Sequence, residues 1–230
     1  MKNLIRLDGI YNNETLEAAR SMGVESFQFD FRPRSLNFLQ LHVFQEMIDK
    51  LPKNKETFFL HFSNEKDFVV AKVVEDFKKS LERNSSGSEM ILEFSDEKDA
   101  GFYDQFDVPF FWNYSPGSIL EEVLQCYNLR GMVWSLDLLN DFDSSRSLEL
   151  IFDQFWDNYG QHIQRMKLKN LIRGVRPLNF LERVLNMMPF DFISLPVDHH
   201  FESSYRNVDL GVLRAEIEIF SQAVEKDLSF

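Results

Sequence analysis

Apolar and polar positions alternate in blocks that predict a repeated order of strand and helix. Short apolar runs rich in Phe predict strands at 4–8, 25–31, 56–62, 89–94, 107–112, 130–136, 163–169 and 190–195. Such runs are typical of strands that are buried on both faces of a parallel sheet. Segments with apolar residues at helical spacing over a charged face predict helices at 13–22, 39–51, 65–82, 97–104, 116–126, 145–158, 177–187 and 208–226.

Two local features refine this pattern. Asn13 precedes good helix formers and is a candidate N-cap for the first helix. The polar stretch 141–145, rich in Asp and Ser, interrupts the apolar pattern, and we interpret it as a loop.

Eight alternating strand and helix units predict the fold class α/β, with a closed or doubly wound parallel sheet. Because eight units within 230 residues suit a closed barrel, we expect a single (β/α)8 TIM barrel domain over residues 1–230. Barrel enzymes act at the carboxyl ends of their strands, so polar residues at those ends are the candidates for function.

Charge and cysteine content limit the partners. The formal net charge is −12 and the pI is about 4.9, which argues against nucleic acid and anionic membranes as partners. The lone Cys126 rules out an intramolecular disulfide framework and fits a reducing cytoplasm. No signal peptide and no apolar run of membrane-spanning length is present, so we expect a cytoplasmic protein that binds a small molecule. The sequence does not predict its oligomeric state.

The first strand ends in a carboxylate, Asp8, followed by Gly9. At the mouth of a barrel such a carboxylate could act as a general base. The alternative is a structural role, in which the carboxylate caps the following turn.

Several stretches together carry a family resemblance. They are Arg6-Leu7-Asp8-Gly9-Ile10 at the first strand, Phe29-Asp30-Phe31-Arg32-Pro33-Arg34-Ser35 after the second, Phe62-Ser63-Asn64-Glu65 after the third, and Leu171-Ile172-Arg173-Gly174-Val175-Arg176-Pro177-Leu178-Asn179 at the seventh. In this order and spacing they resemble the phosphoribosylanthranilate isomerase family, (β/α)8 barrels of tryptophan biosynthesis. The likeness spans nearly the whole chain.

The resemblance implies an Amadori-type isomerisation of a phosphorylated aminoaldose, without a cofactor. Asp8 stands where the family has a Cys base, and Asp137 matches the family's Asp acid. The sister isomerase of histidine biosynthesis uses an Asp–Asp pair for the same rearrangement. On this first hypothesis, Asp8 is the base, Asp137 the acid, and Arg32, Arg34, Arg173 and Gly174 bind the substrate.

Departures from the family pattern support a second hypothesis. The family's Ser-Gly-Gly at the seventh strand has become Ile172-Arg173-Gly174, and its Ser-Ser-Gly after the eighth has become Leu195-Pro196-Val197. Pro lacks the N–H and Val lacks the small size that a backbone phosphate site needs. Asn37 occupies the position of the family's substrate arginine. The chain could therefore be a non-catalytic barrel, a pseudoenzyme, that binds a small molecule or a protein partner.

A metal site is the weakest alternative. Asp198, His199 and His200 follow the eighth strand, and His61 and Asp8 lie at or near other strand ends. However, the His-x-His of mononuclear barrel hydrolases is absent from the first strand, and adjacent histidines seldom bind one ion. We therefore predict no metal site.

Overall fold

The computed structural model describes residues 4–51, 55–84, 86–117, 119–174 and 176–226, and it contains a closed barrel of eight parallel strands. Each strand pairs with the next in sequence, and the eighth pairs with the first. The strands are β1 (Leu4–Asp8), β2 (Ser26–Asp30), β3 (Thr57–Phe62), β4 (Glu89–Phe94), β5 (Phe110–Asn113), β6 (Leu129–Ser135), β7 (Lys169–Arg173) and β8 (Phe192–Pro196). The predicted (β/α)8 barrel is confirmed.

Helices follow the strands around the outside of the barrel. They are α1 (Asn13–Ser21), α2 (Leu41–Ile48), α3 (Asp67–Asn84), α4 (Ala100–Asp104), α5 (Leu120–Val123), α6 (Leu136–Ser144), α7 (Leu148–Met166), α8 (Leu178–Met187) and α9 (Leu210–Lys226). Between β8 and α9 the chain forms a small antiparallel hairpin of β9 (Glu202–Ser204) and β10 (Asn207–Val208).

The core has two layers that are separated by the wall of the barrel. Outside the wall, the apolar faces of the helices form one large cluster with the outward-facing strand residues. Inside it, six side chains form a separate cluster: Phe59, Ile91, Phe111, Val133, Leu171 and Phe192. The ring of Phe59 meets those of Phe111 and Phe192 edge-on at 5.2 and 5.6 Å, although their strands are not neighbours, so these rings meet across the lumen.

Three local predictions are wrong: the position of the seventh strand, the loop at 141–145 and the N-cap of α1. The seventh strand was expected at 163–169 but lies at Lys169–Arg173. Residues 163–166 form the last turn of α7, which ends at the left-handed Lys167. The expected loop at 141–145 is largely helix α6, because Leu136 and Leu139 bury one face of it while Asp and Asn face outward. The N-cap of α1 is Asn12, whose side chain accepts a hydrogen bond from the N–H of Thr15.

Among the described residues, no helix has the length and apolar character needed to cross a membrane.

Gly131 of β6 tests how tightly the barrel wall is packed. A Cβ atom there would lie 2.5 Å from Phe111 Cε2 and 2.6 Å from the carbonyl oxygen of Lys169, which belongs to the neighbouring strand backbone. We therefore expect Gly131→Ala to lower the free energy of unfolding by about 1–3 kcal/mol, the usual cost of overpacking. Urea denaturation measures it. Gly211→Ala, near the N-terminus of α9, is the control. An unchanged midpoint for Gly131→Ala would contradict the packing described here.

Candidate site at the carboxyl ends of the barrel strands

A polar layer lies directly above the apolar layer of the lumen. Two residues beyond the apolar positions, toward the carboxyl ends of the strands, side chains point into the lumen again. The residues at these positions of β3 to β8 and at the matching positions of β1 and β2 are Arg6, Gln28, His61, Glu93, Asn113, Ser135, Arg173 and Ser194. This layer, which we call the polar layer, fills the floor of the mouth where the sequence predicts chemistry.

Arg6 and Asp8 form a bidentate ion pair within β1. Arg6 Nε donates to Asp8 Oδ1 at 2.6 Å, and Arg6 Nη2 donates to Asp8 Oδ2 at 2.7 Å. Arg6 is fully buried and Asp8 is 5 % exposed. Both oxygens of the predicted base are therefore occupied by one guanidinium in a water-poor site, a geometry that is strong and directional.

Glu93 completes the charge balance below Asp8. Arg6 Nη1 donates to Glu93 Oε2 at 2.5 Å, and the Arg6 guanidinium lies 4.5 Å from the centre of the Phe59 ring. Arg173 forms a second ion pair with Glu93 and lies 3.5 Å (Nε–Oδ2) from Asp8. Two cations thus face two buried carboxylates, and removal of any one would leave an uncompensated charge.

Arg173 covers the polar layer from above, with 23 % of its side chain exposed. Its Nη1 donates to Asn113 Oδ1 at 2.9 Å, and the amide of Asn113 donates to the carbonyl oxygen of Phe94. Burial lowers the pKa of Arg173 to about 10, so it remains charged at neutral pH. The predicted ligand arginine is therefore already engaged by protein groups.

A chain of hydrogen bonds fixes the tautomer of His61. The N–H of Gly9 donates to Gln28 Oε1 at 2.7 Å, which leaves the amide nitrogen of Gln28 to donate to His61 Nδ1 at 2.8 Å. His61 Nε2 then carries the proton and lies 3.0 Å from Ser95 Oγ. Burial lowers the pKa of His61 most, and the nearby cations Arg173, Arg32 and Arg6 lower it further. The pKa is therefore well below its usual value, and the ring is neutral at pH 7.

Asp137, the predicted acid, lies outside this network. β6 ends at Ser135, whose hydroxyl accepts from the N–H of Leu138 and caps α6. Asp137 falls in the first turn of that helix and is exposed. A carboxylate there stabilises the helix through its dipole. Among the described residues, no contact joins Asp137 to Asp8.

The loops after β1, β2 and β8 are tied together over the mouth. Asn37, at the position of the family's substrate arginine, donates to the carbonyl oxygen of Val197 at 2.5 Å. Gly9 is left-handed, and a Cβ on it would collide with the Asn37 side chain. Asn37 therefore occupies the space between the first and eighth strand ends.

The hairpin β9–β10 packs over the same region. Tyr11, after β1, donates its hydroxyl to Glu202 Oε1 at 2.9 Å, and burial raises the pKa of Tyr11. Arg206 donates to the carbonyl oxygen of Phe38, and its guanidinium lies 5.4 Å from the centre of the Tyr11 ring. These contacts place protein groups above Asp8 on the β1 and β2 side.

Backbone N–H groups after β7 and β8 are used within the barrel. Gly174 keeps a positive φ of +97° and donates to the carbonyl oxygen of Ser194, and Val197 donates to the carbonyl oxygen of Asp8. Pro196 has no N–H to offer. Val175 lies outside the described residues. Among the others, the backbone arrangement at these two strand ends provides little for a phosphate.

Arg32 and Arg34 border a cleft of about 740 Å³ beyond the ends of β2 and β3. Arg32 is half-buried and holds Asp30 through Nε and Nη2, at 2.9 and 2.6 Å. Arg34 is exposed and, among the described residues, has no hydrogen-bond or ion-pair partner. Glu65 also lines the cleft; it accepts from the N–H of Ser63, and burial raises its pKa. We call this the rim cleft.

The histidines weighed as metal ligands lie apart. His61 belongs to the polar layer, whereas His199 and His200 are exposed after β8 and their rings face each other at 4.8 Å. The N–H of His200 donates to Asp198, and Arg176 lies 3.2 Å from His200 Nε2. Within the described ranges, no group of three or more His, Cys, Asp or Glu side chains is placed to hold a metal ion.

Sequence reasoning overlooked Arg6 and Gln28, which organise the polar layer. A signal was present for both. Arg6 interrupts the apolar run of β1, and Gln28 lies between two phenylalanines in β2; a polar residue within a buried strand needs a buried partner. The partner of Arg6 is two residues away on the same strand, on the same face.

The fold was compared with known proteins. No protein-family model matches the chain, and no curated protein sequence matches it. Solved structures do match. Phosphoribosyl anthranilate isomerase from Thermococcus kodakaraensis has a TM-score of 0.65 at 11 % identity, over 96 % of this chain and 98 % of that one. An isomerase in complex with reduced 1-(o-carboxyphenylamino)-1-deoxyribulose 5-phosphate has a TM-score of 0.64 at 11 % identity, over 97 % and 99 %.

A barrel of different activity also matches. Orotidine 5'-monophosphate decarboxylase from Sulfolobus solfataricus has a TM-score of 0.56 at 11 % identity, over 97 % of this chain and all of that chain. At such identity the similarity establishes the fold, and function has to be argued from the residues of the site. The resemblance indicated by the sequence motifs is confirmed at this level: the chain has the fold of the phosphoribosylanthranilate isomerases along nearly its whole length.

Proposed function

We propose that this protein is a non-catalytic barrel of the phosphoribosylanthranilate isomerase fold that binds an anionic small molecule at the rim cleft. The observation that carries the proposal is the bidentate Arg6–Asp8 pair, buried under Arg173. A general base needs a lone pair that can reach the substrate proton, directly or through one water. In Asp8 both oxygens serve the folded state.

The position of Asp137, the predicted acid, also supports a non-catalytic barrel. Two-carboxylate proton transfer requires both groups to face one substrate, with environments that separate their pKa values. Asp8 is enclosed in the polar layer, whereas Asp137 is exposed on the first turn of α6. The isomerase hypothesis keeps two supports, the fold and the presence of carboxylates at both motif positions, but it requires the mouth to rearrange before a substrate could reach Asp8.

The rim cleft offers charge that the mouth does not. Arg34 has no hydrogen-bond or ion-pair partner among the described residues. Arg32 uses Nε and Nη2 to bind Asp30, and its Nη1 makes no hydrogen bond to any described residue. Guanidinium groups bind carboxylates and phosphates through paired N–H donors. The solved isomerase complex holds a ligand with a carboxyphenyl group and a 5-phosphate. We infer that an anion of this class, a phosphorylated or carboxylated small molecule, binds here.

Stability measurements separate a structural Asp8 from a catalytic one. We expect Asp8→Asn to lower the free energy of unfolding by about 3–5 kcal/mol, because Arg6 would keep its charge in a buried site without its bidentate partner. Asp137→Asn is the matched control and should lower the free energy of unfolding by no more than about 1 kcal/mol, the helix-dipole contribution of an exposed first-turn carboxylate. Urea denaturation at pH 7 measures both. Equal stability of Asp8→Asn and wild type would contradict the structural role.

Activity is tested by complementation of a tryptophan auxotroph that lacks the isomerase. We expect the wild-type chain to fail where an authentic isomerase succeeds, because neither a free base nor a facing acid is in place. Soluble expression is checked by immunoblot. Growth with the wild type, lost in both Asp8→Asn and Asp137→Asn, would overturn the proposal and establish the isomerase hypothesis.

Anion binding is tested with sulfate and ribose 5-phosphate by calorimetry at constant ionic strength. We expect Arg34→Gln to weaken binding about tenfold, the loss of one charge-assisted contact, and Arg214→Gln on α9 to have no effect. Because burial raises the pKa of Glu65, this carboxylate takes up its proton at a higher pH than an ordinary Glu does, and sulfate binding should strengthen as the pH is lowered through that range. Glu65→Gln should reproduce that gain at pH 7. Equal affinities of Arg34→Gln and the wild type for these anions would refute the site.

A further inference from the structure

We propose a second small-molecule site at the opposite end of the barrel, which binds an α-amino acid with an apolar side chain. A cleft of about 660 Å³ opens there, at the amino ends of the strands. Its size lies within the range of small-molecule sites, roughly 300–1,000 Å³. This site is independent of the rim cleft and of the proposed function.

Small inward-facing residues leave this end of the lumen open. β2 begins with Ser26 and β3 with Thr57, where bulky branched side chains usually fill a barrel. The floor of the part of the cleft inside the lumen is apolar and comprises Ile91 and Phe192, which belong to the apolar layer, so a ligand side chain would rest directly on the barrel core. Ile5 lines the cleft from the outer face of β1.

Ser26 is the polar group that points to a ligand. It is 2 % exposed, it lines the cleft, and its hydroxyl has no hydrogen-bond partner among the described residues. A buried hydroxyl without a partner costs free energy, and such groups are rare in native proteins. The oxygen is shielded from solvent, so a ligand oxygen in the cleft would satisfy it once neighbouring side chains move aside.

Charges of both signs surround the cleft. Lys55, Lys169, Glu25 and Glu89 line it, and none of the four forms an ion pair with any residue that the structure describes. Lys169 Nζ lies 5.3 Å from the centre of the Phe192 ring, which holds this cation above the apolar floor. The lysines and glutamates therefore share one cleft without neutralising each other.

A zwitterion complements this arrangement better than a ligand of one sign. Its carboxylate would bind the lysines and the Ser26 hydroxyl, its ammonium would bind the glutamates, and an apolar side chain would cover Ile91 and Phe192. A ligand with only one charge would leave the like-charged pair repelling it. An α-amino acid with an apolar side chain has this combination of groups.

Calorimetry with three matched probes tests the site: L-phenylalanine, 3-phenylpropanoate, which lacks the ammonium, and 2-phenylethylamine, which lacks the carboxylate. We expect saturable binding of L-phenylalanine. Each single-charge probe should bind with an affinity at least about tenfold lower, the loss expected for one charged contact. Lys169→Met and Glu89→Gln should each weaken L-phenylalanine binding to a similar degree. Lys78→Met, an exposed lysine of α3, should not.

Lys169 and Glu89 are both exposed, so the two variants should fold, and circular dichroism checks this. No saturable binding of L-phenylalanine by the wild type would overturn the proposal. Equal binding of all three probes would overturn the zwitterion, and unchanged affinity in both Lys169→Met and Glu89→Gln would overturn the location. Because Arg34→Gln affects only the rim cleft, loss of sulfate binding in that variant has no bearing on this site.

Discussion

The burial of one guanidinium governs the upper half of this barrel. Arg6 replaces what would be another apolar side chain in β1, and it is fully buried among strands. An unpaired cation there would be very costly, so Asp8 and Glu93 must stay in place around it. Two carboxylates then demand a second cation, which Arg173 supplies. The geometry of the mouth follows from this balance, in which a carboxylate at the typical catalytic position of a barrel is paired with a buried guanidinium.

The two ends of the lumen solve opposite packing problems. At the carboxyl ends, long polar side chains fill the space and the loops after β1, β2 and β8 are joined above them by Asn37 and Arg206. At the amino ends, Ser26 and Thr57 leave space, and the charged residues that line the cleft form no ion pair with any residue in the described ranges. The apolar layer between them isolates one end from the other. A ligand at either end therefore meets different chemistry, and the two proposed sites can be perturbed separately.

Much of the fold was accessible from the sequence, and less of the site. Apolar runs located most strands closely because parallel strands are buried on both faces. β7 was misplaced because Ile163, Met166 and Leu168 mimic a strand while they finish a helix and its cap. Asp8 was correctly placed at a strand end, but its partner Arg6 was not recognised, since a pattern of residue types does not reveal which side chains pair. Asp137 was chosen by motif, and helix α6 begins one residue before it.

The ion pairs of the polar layer also limit which single substitutions the protein can accept without leaving a buried charge unpaired. Loss of Arg6 alone would leave Asp8 and Glu93 as close, buried anions with only Arg173 to balance them. Charge balance would return if Glu93 were lost as well, because Asp8 and Arg173 would then remain as one anion and one cation, so substitutions at Arg6 and Glu93 are coupled. A barrel with this interior can vary in its loops and surface, while its buried charges have to change together.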